Sequence, residues 1–505
     1  MLQKYISKIL DRFGGLAAAI AVNAIVLIVL INLVIFEALD TGREVQVQVM
    51  EHEEIPEIEQ ALQKLDELPP DSNLMTAPGD VPALPDVPVE MSAPDMPDLA
   101  GLAMHEIQSP LVMQGLFAGR SAGARSNRLQ QFAGGYGEQV EAAVMRSLEW
   151  LAAQQTPEGY WGAVSAYNQS WHQREWIASM MNEQRATRLT ALALLAFLAH
   201  GETPASEQFG GTVQRAIEYL LSQQQPDSGL FVPLAAVRPE KSGEDLGVYA
   251  HAQATYALAE AYALTRAPAL KASVEKGIRV ISAGQLHCGA WGNWYEQDIA
   301  DASATSWQVQ ALRAAEAAGI LLPEIPAALE RAAQGVAFLY KGNGIWFYRK
   351  GDLLIAPREG GPVMSGAMVL SLQLLGLHTD PMVSAGLRYM HEFGVSDWET
   401  AWLNPINKSL PATYEWYYNT QAVFQRGGSR WKTWNAKFAP MLLSNQHAEG
   451  WWLGPNQKTG EEKIYSTALC SLSLQVYYRI LPSFSPPEHR APRVTFDDDV
   501  IITIR

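Results

Sequence analysis

From about residue 139 onward, apolar positions alternate between two kinds of segment. In the first, apolar residues recur every three or four positions against Glu, Arg, Lys and Gln. Examples are "VMRSLEWLAAQQTPEGYWG" (144–162), "VQRAIEYLLSQQQPDSGLF" (213–231), "VEKGIRVISAGQLHCGAWG" (274–292) and "NAKFAPMLLSNQHAEGWW" (435–452). That spacing predicts amphipathic helices with one buried stripe, each running into Gln, a Gly-bearing turn and an aromatic residue. Two weaker copies read "RAAQGVAFLYKGNGIWFY" (331–348) and "AGLRYMHEFGVSDW" (385–398). In the second kind of segment nearly every face is apolar or small. These begin near Thr190, Ala254, Ala304, Ser365, Tyr417 and Tyr465 and predict helices enclosed on both sides.

The pattern repeats every 48 to 64 residues or so, the mark of a supersecondary unit whose apolar face is buried only by its neighbours. We expect an all-α fold over residues 135–482, an α/α toroid of about six helix pairs with an inner and an outer ring. An open solenoid is the alternative; full repeats at both ends, without a polar capping helix, favour closure. The Gln is expected to bond backbone groups left open at a neighbouring helix end, and the aromatic residue to cap the outer helix by stacking.

The first 134 residues read differently. No charge occurs from Gly14 to Phe36, and 14–37 is expected to be a transmembrane helix: 23 uncharged residues span roughly 35 Å. Lys4, Lys8 and Arg12 precede it and Glu37, Asp40 and Glu44 follow. The charge bias therefore places residues 1–13 in the cytoplasm and the rest across the membrane. A cleaved signal peptide is the competing reading. Asn23 and Asn32 inside the run are either tolerated singly or draw a partner helix. Residues 38–68 form a juxtamembrane amphipathic segment, with Ile55, Ile58, Leu62 and Leu65 on one stripe. Residues 69–134, rich first in Pro and Asp and then in Gly, read as a disordered linker. The C-terminal tail, 483–505, ends in a strand-like alternation.

A net charge of −16 with no basic stripe excludes a nucleic-acid binder. Cys288 and Cys470 are too few and too far apart for a thiolate metal site, and no cofactor or metal is expected. Free buried thiols are the expectation for them, with one long-range disulfide as the alternative.

"EWLAAQQTPEGYWG", "GQLHCGAWGNW" and "LLSNQHAEGWW" resemble the QW repeats of squalene–hopene cyclases and protein prenyltransferase β-subunits. The chain is most similar to bacterial membrane-tethered prenyltransferase/squalene-oxidase-repeat proteins, through "YEWYYNTQAVFQRGGSRWKTWN" and "YSTALCSLSLQVYYRILP". That resemblance implies the toroid, on the periplasmic side of a bacterial inner membrane, anchored through 14–37. Where the cyclases carry an acidic "DxDDT", this chain has "DASAT": Asp301 and Thr305 are kept, Ser303 and Ala304 replace the two central acids. A serine hydroxyl is far too weak an acid to protonate an alkene. Asp298, one turn earlier, is the remaining acid nearby. The zinc triad of the prenyltransferases and the thioester motif of the complement relatives are absent as well.

The starts of the inner helices should line one mouth, bringing together Arg188, Thr190, Tyr249, Met364, Ser365 and Thr467. Asp301, Glu415 and His251 are the candidate catalytic residues. Asp298, Ser303, Thr305, Trp307, Trp416, Tyr417, Tyr418 and Tyr465 are the candidate lining of a cavity for an apolar or glycan ligand. For Ser303, Thr305 and Thr467, capping of the inner helices is the plainer role; for His251, a structural one. The missing acids favour a non-catalytic binding or scaffold module, with an integral-membrane protein as partner. The alternative is an enzyme of unknown chemistry (lyase, cyclase or transferase) on a lipid, isoprenoid or polysaccharide.

Overall fold

Helices without a polar face must be surrounded, and this requirement sets the architecture. The computed structural model describes residues 120, 122–162, 175–231, 247–293, 295, 299–351, 358–394, 397–403, 412–455, 457 and 459–478. In chain order these form α1 (Ala122–Phe132), α2 (Gly137–Gln154), α3 (Glu175–His200), α4 (Gly210–Gln223), α5 (Gly247–Thr265) and α6 (Pro268–Ala283). Strand β1 (Ala300–Asp301) leads into α7 (Ala302–Ala317) and α8 (Glu324–Phe338), followed by β2 (Tyr340–Gly342), β3 (Ile345–Lys350) and β4 (Arg358–Glu359). Then come α9 (Gly361–Leu374), α10 (Pro381–Phe393), α11 (Trp398–Leu403), α12 (Ala412–Arg426), α13 (Gly428–Ser444) and α14 (Gly460–Leu474).

Among the described residues, α3, α5, α7, α9, α12 and α14 each contact the next in that order, and α14 returns onto α3. The ring closes, which excludes the open solenoid. In α9 every residue is buried, and in α5 all but Tyr262. Outside the ring, α4, α6, α8, α10 and α13 pack on the inner helix that precedes each, while α2 packs on α14. Such an outer helix buries one stripe only, as α4 does with Val213, Ala216, Ile217 and Leu220. The inner and outer rings therefore follow from the two hydrophobic patterns of the chain.

The Gln of the turn does more than close its own helix. Gln155 Nε2 donates to Gly159 O (2.9 Å) and to Thr212 O (3.0 Å), in the first turns of the next outer helix. Gln224 does the same to Gly229 O and Ser273 O, and Gln285 to Gly289 O and Ala328 O. Gln446 completes the circle, donating to Gly450 O (2.9 Å) and to Ala143 O (2.8 Å) on α2. The turn tryptophan caps its outer helix by hydrogen bonding, in place of the expected stacking. Trp161, Trp291, Trp346 and Trp452 donate from Nε1 to the carbonyls of Leu151, Ile281, Val336 and Leu442, each ten residues back. Each of these indoles is fully buried, worth roughly 5 kcal/mol of apolar transfer for some 200 Å².

Two features depart from the expected fold. First, β1, β3 and β2 form an antiparallel sheet in that order, with β4 also on β3. The β2–β3 hairpin turns at Asn343 and Gly344, both with positive φ (54° and 82°), the dipeptide best suited to such a turn. Second, helical order begins before residue 135. Helix α1 lies inside the stretch read as linker, with Leu129 within it and Ala133 just after it buried. Arg120 pairs with Glu260 at 2.6 Å, both nearly fully buried. Arg125 bonds Glu141 and the carbonyls of Arg120 and His200, and His200 bridges Glu202 (2.7 Å) and Glu141 (3.2 Å). The segments 14–37, 38–68 and 483–505 lie outside the described residues. Among those described, no helix is long and apolar enough to cross a membrane.

Two outcomes follow. At the seam, Gln446→Ala should cost roughly 1–2 kcal/mol in denaturant unfolding. Gly450→Ala should cost more, about 2–3 kcal/mol, because its φ is +102° and a Cβ would overlap the Arg146 carbonyl. Burial disfavours the His200 imidazolium, but hydrogen bonds to Glu141 and Glu202 outweigh that and raise its pKa. The stabilisation is therefore complete below the ordinary histidine value and fades as pH climbs through the raised one. The melting temperature of the wild type should fall relative to His200→Gln as pH rises from the ordinary histidine range through the raised one.

Candidate active site at the mouth of the toroid

The site starts from the way α7 begins. Asp301 closes β1 and caps α7, its Oδ1 accepting the Ala304 N–H at 2.9 Å. Because β1 runs antiparallel to β3, Asp301 stands opposite Arg349, whose Nε donates to Oδ2 at 3.0 Å. Tyr249, from the start of α5, donates its hydroxyl to Oδ1 at 3.2 Å. With the Asn293 amide turned so that its nitrogen donates, it reaches Tyr249 Oη (2.9 Å) and Asp301 Oδ2 (3.0 Å) while its oxygen accepts from Arg349. Asp301 is thus a buried carboxylate with every lone pair engaged. Burial pushes its pKa up, against the pull of the Ala304 amide, Arg349 and Tyr249. It does not face solvent, whereas the Arg349 side chain is 39% exposed. Asp301 positions; Arg349 and Tyr249 present.

Across the mouth, Arg188 on α3 donates to Tyr465 Oη at 3.2 Å. Its guanidinium lies 4.8 Å from the Tyr465 ring centre and 6.0 Å from that of Tyr249, within cation–π reach of both. Burial raises the Tyr249 phenol well above its ordinary pKa, with the Asp301 charge adding to the effect. It raises Tyr465 as well, in spite of Arg188. Both hydroxyls therefore remain protonated donors at neutral pH.

Beneath this layer the axis is filled. Ser303 Oγ and Tyr414 Oη are 2.5 Å apart, and Trp307 Nε1 donates to the same phenol at 3.1 Å. Ser306 bonds Tyr418 (2.8 Å), Tyr417 bonds Gln310 (2.8 Å), and Trp307 stacks on Tyr417 at 5.4 Å. None of Trp307, Tyr414, Tyr417 and Tyr418 has more than 1% of its surface exposed. Trp307, Tyr417 and Tyr418, expected to line a cavity, instead close it. Trp416 turns away from them, stacking on Trp398 and edge-on to Trp402.

The other candidates separate. His251 is structural: its Nδ1 accepts the Phe231 N–H (3.3 Å), its Nε2 donates to Gly277 O (3.0 Å), and burial drops its pKa to about 4. It holds the place taken elsewhere by Thr190, Thr305 and Thr467, which accept the N–H of Trp161, Trp291 and Trp452. Those threonines thus anchor turns and do not cap helices; the caps of α7 and α14 are Asp301 and Thr459. Ser365 donates to Gly344 O and Ser303 binds Tyr414, so neither caps. Glu415 is buried and accepts from Asn419 (3.3 Å). Asp298 lies outside the described residues. No disulfide joins Cys288 and Cys470. Arg349, Asn293 and Tyr414 are site residues that sequence reasoning passed over; only the Asn343–Gly344 hairpin hinted at the strand that carries Arg349.

No family profile matches the chain, and no curated protein matches it. Among solved structures it is similar to the α-1,6-mannanase GH76A of Salegentibacter sp. HEL1_6, at 12% identity and TM-score 0.48, over 68% of this chain and 99% of that one. It is also similar to a variant of the type II terpene cyclase MstE from Scytonema, in complex with merosterolic acid A, at 12% identity and TM-score 0.42, over 68% and 98%. Both are α/α toroids. The expectation of a non-catalytic binding or scaffold module is corrected here and not carried forward: the similar structures are those of a mannanase and a terpene cyclase.

A double-mutant cycle tests the Asp301–Arg349 pair. Arg349→Ala should destabilise by roughly 1–3 kcal/mol, limited by the exposure of Arg349. In an Asp301→Asn background, which keeps the helix cap, the same change should cost well under about 1 kcal/mol in chemical denaturation.

Proposed function

We propose that the toroid is an enzyme that cleaves a polysaccharide laid across the mouth formed by Arg188, Tyr249, Arg349 and Tyr465. The observation that carries this reading is the filled axis. An isoprenoid cyclase has to wrap a long apolar chain inside the ring, and here Trp307, Tyr414, Tyr417 and Tyr418 occupy that space. The substrate must instead lie on the mouth, where tyrosine rings, phenol hydroxyls and guanidinium groups converge, the surface chemistry that suits sugar rings and their hydroxyls. The hydroxyl of Ser303 and the methyl of Ala304, in place of carboxylic acids, also speak against alkene protonation. In this reading Arg349, held by Asp301, donates to the substrate oxygen where negative charge develops, while Tyr249, whose one O–H goes to Asp301, keeps that carboxylate in place.

The same proposal includes an anchor. The uncharged run 14–37 and the acidic, Pro-rich stretch that follows support a toroid tethered outside an inner membrane, and Asn23 and Asn32 support a membrane-embedded partner protein.

The test is incubation of the purified full chain with a panel of neutral and acidic polysaccharides, reading new chain ends. At least one polymer should be shortened, and Arg349→Ala should slow the reaction by about 100-fold or more, with a smaller loss for Tyr249→Phe. An untouched panel together with cyclised product from squalene or a polyprenyl diphosphate would overturn the reading.

A further inference from the structure

Most cations near the mouth are already matched. Arg349 faces Asp301, and Arg185, one turn before Arg188 on α3, approaches Glu461 at 4.0 Å. Lys350 donates to Phe338 O and lies over the Phe338 ring. Arg188 differs. Among the described residues no carboxylate comes within ion-pair distance of it, and of its five N–H donors only one has a hydrogen-bonding partner, the Tyr465 hydroxyl. Its Nε is buried and meets no protein acceptor. Two tyrosine rings from α5 and α14 hold the guanidinium plane in place. A cation fixed by aromatic faces, with donors unused and no counter-charge, is preorganised for a planar or tetrahedral oxyanion.

We propose that Arg188 forms an oxyanion subsite which makes the mouth selective for acidic sugars, those carrying a carboxylate or a phosphate. The proposal rests on the polysaccharide reading and deepens it. Geometry assigns the recognition: the anion meets the open donors of Arg188 while the adjoining sugar ring lies toward Tyr249 and Tyr465. Arg349 adds donors beside it without adding net charge, because Asp301 balances it. Selectivity then comes from one unneutralised guanidinium, so it should weaken with added salt but persist where binding is partly desolvated.

Binding to the full-length protein by calorimetry tests this with four probes: an oligogalacturonate, its methyl ester, a phosphorylated oligosaccharide and inorganic phosphate. The acidic oligosaccharides should bind at least 10-fold more tightly than the neutral ester. Arg188→Met should erase that preference, the acidic oligosaccharides then binding no more tightly than the ester does to the same variant, and Arg188→Lys should retain part of it. Thermal melts of both variants check that the fold persists. The uronate and phosphate arms separate the two sources of the anion. Equal binding of acid and ester, or a preference that survives Arg188→Met, would overturn the subsite and leave the polysaccharide reading standing. Arg188-dependent binding of inorganic phosphate with no affinity for any oligosaccharide would overturn the polysaccharide reading and keep the anion site. No binding by any probe would overturn both.

Discussion

One side-chain amide, repeated around the ring, holds the outer layer in register. In each of four repeats the turn glutamine divides its two N–H groups between its own turn and the next outer helix. A residue that bonded only its own turn would close a helix; one that bonded only its neighbour would leave the turn loose. By doing both, Gln fixes the distance and rotation between adjacent pairs at four of the six steps around the ring. The inner helices are then packed on all sides, so a polar atom left there without a partner, such as Arg188 Nε, is costly.

That constraint explains the site. At the rim the chain places Tyr249 and Asp301 at the starts of α5 and α7, Tyr465 on α14, Arg188 midway along α3 and Arg349 on β3. Lower down, the same ring geometry brings α7 and α12 face to face, and their serines, tyrosines and Trp307 satisfy one another. The axis is polar and solid at once. With these aromatic side chains buried at the centre, the more exposed polar groups, such as Arg349, lie at the rim.

The two hydrophobic patterns made the toroid legible, since periodicity reports directly which faces are buried. They also located Asp301, because the start of an inner helix can be found by counting. Its partner Arg349 lies 48 residues away on a short strand, and the cross-strand register that joins them depends on a hairpin. The Asn343–Gly344 turn signals that hairpin in the sequence but was hidden within a helical repeat. For His251 the structural role is the plainer reading from sequence, but its partners are not legible there. It occupies the slot of Thr190, Thr305 and Thr467, and only the shared backbone partner shows that an imidazole and a threonine hydroxyl perform one task. Trp307 and Tyr417 could be assigned to the axis from periodicity, but whether they line or fill it depends on how near α7 and α12 approach.

The seam of the ring has a consequence for how the molecule is made. Gln446 reaches Ala143 across 303 positions of chain, and Ser147 meets Ser471 across 324. At about 5–20 residues per second, the first outer helix would wait roughly 15–60 s for the segment that covers it. Throughout that interval its apolar stripe, with Val140, Val144, Leu148 and Leu151, has no permanent cover. Nascent chains of this protein should therefore depend on holding factors during synthesis, and a permuted chain that begins elsewhere on the circle would only relocate the exposed edge.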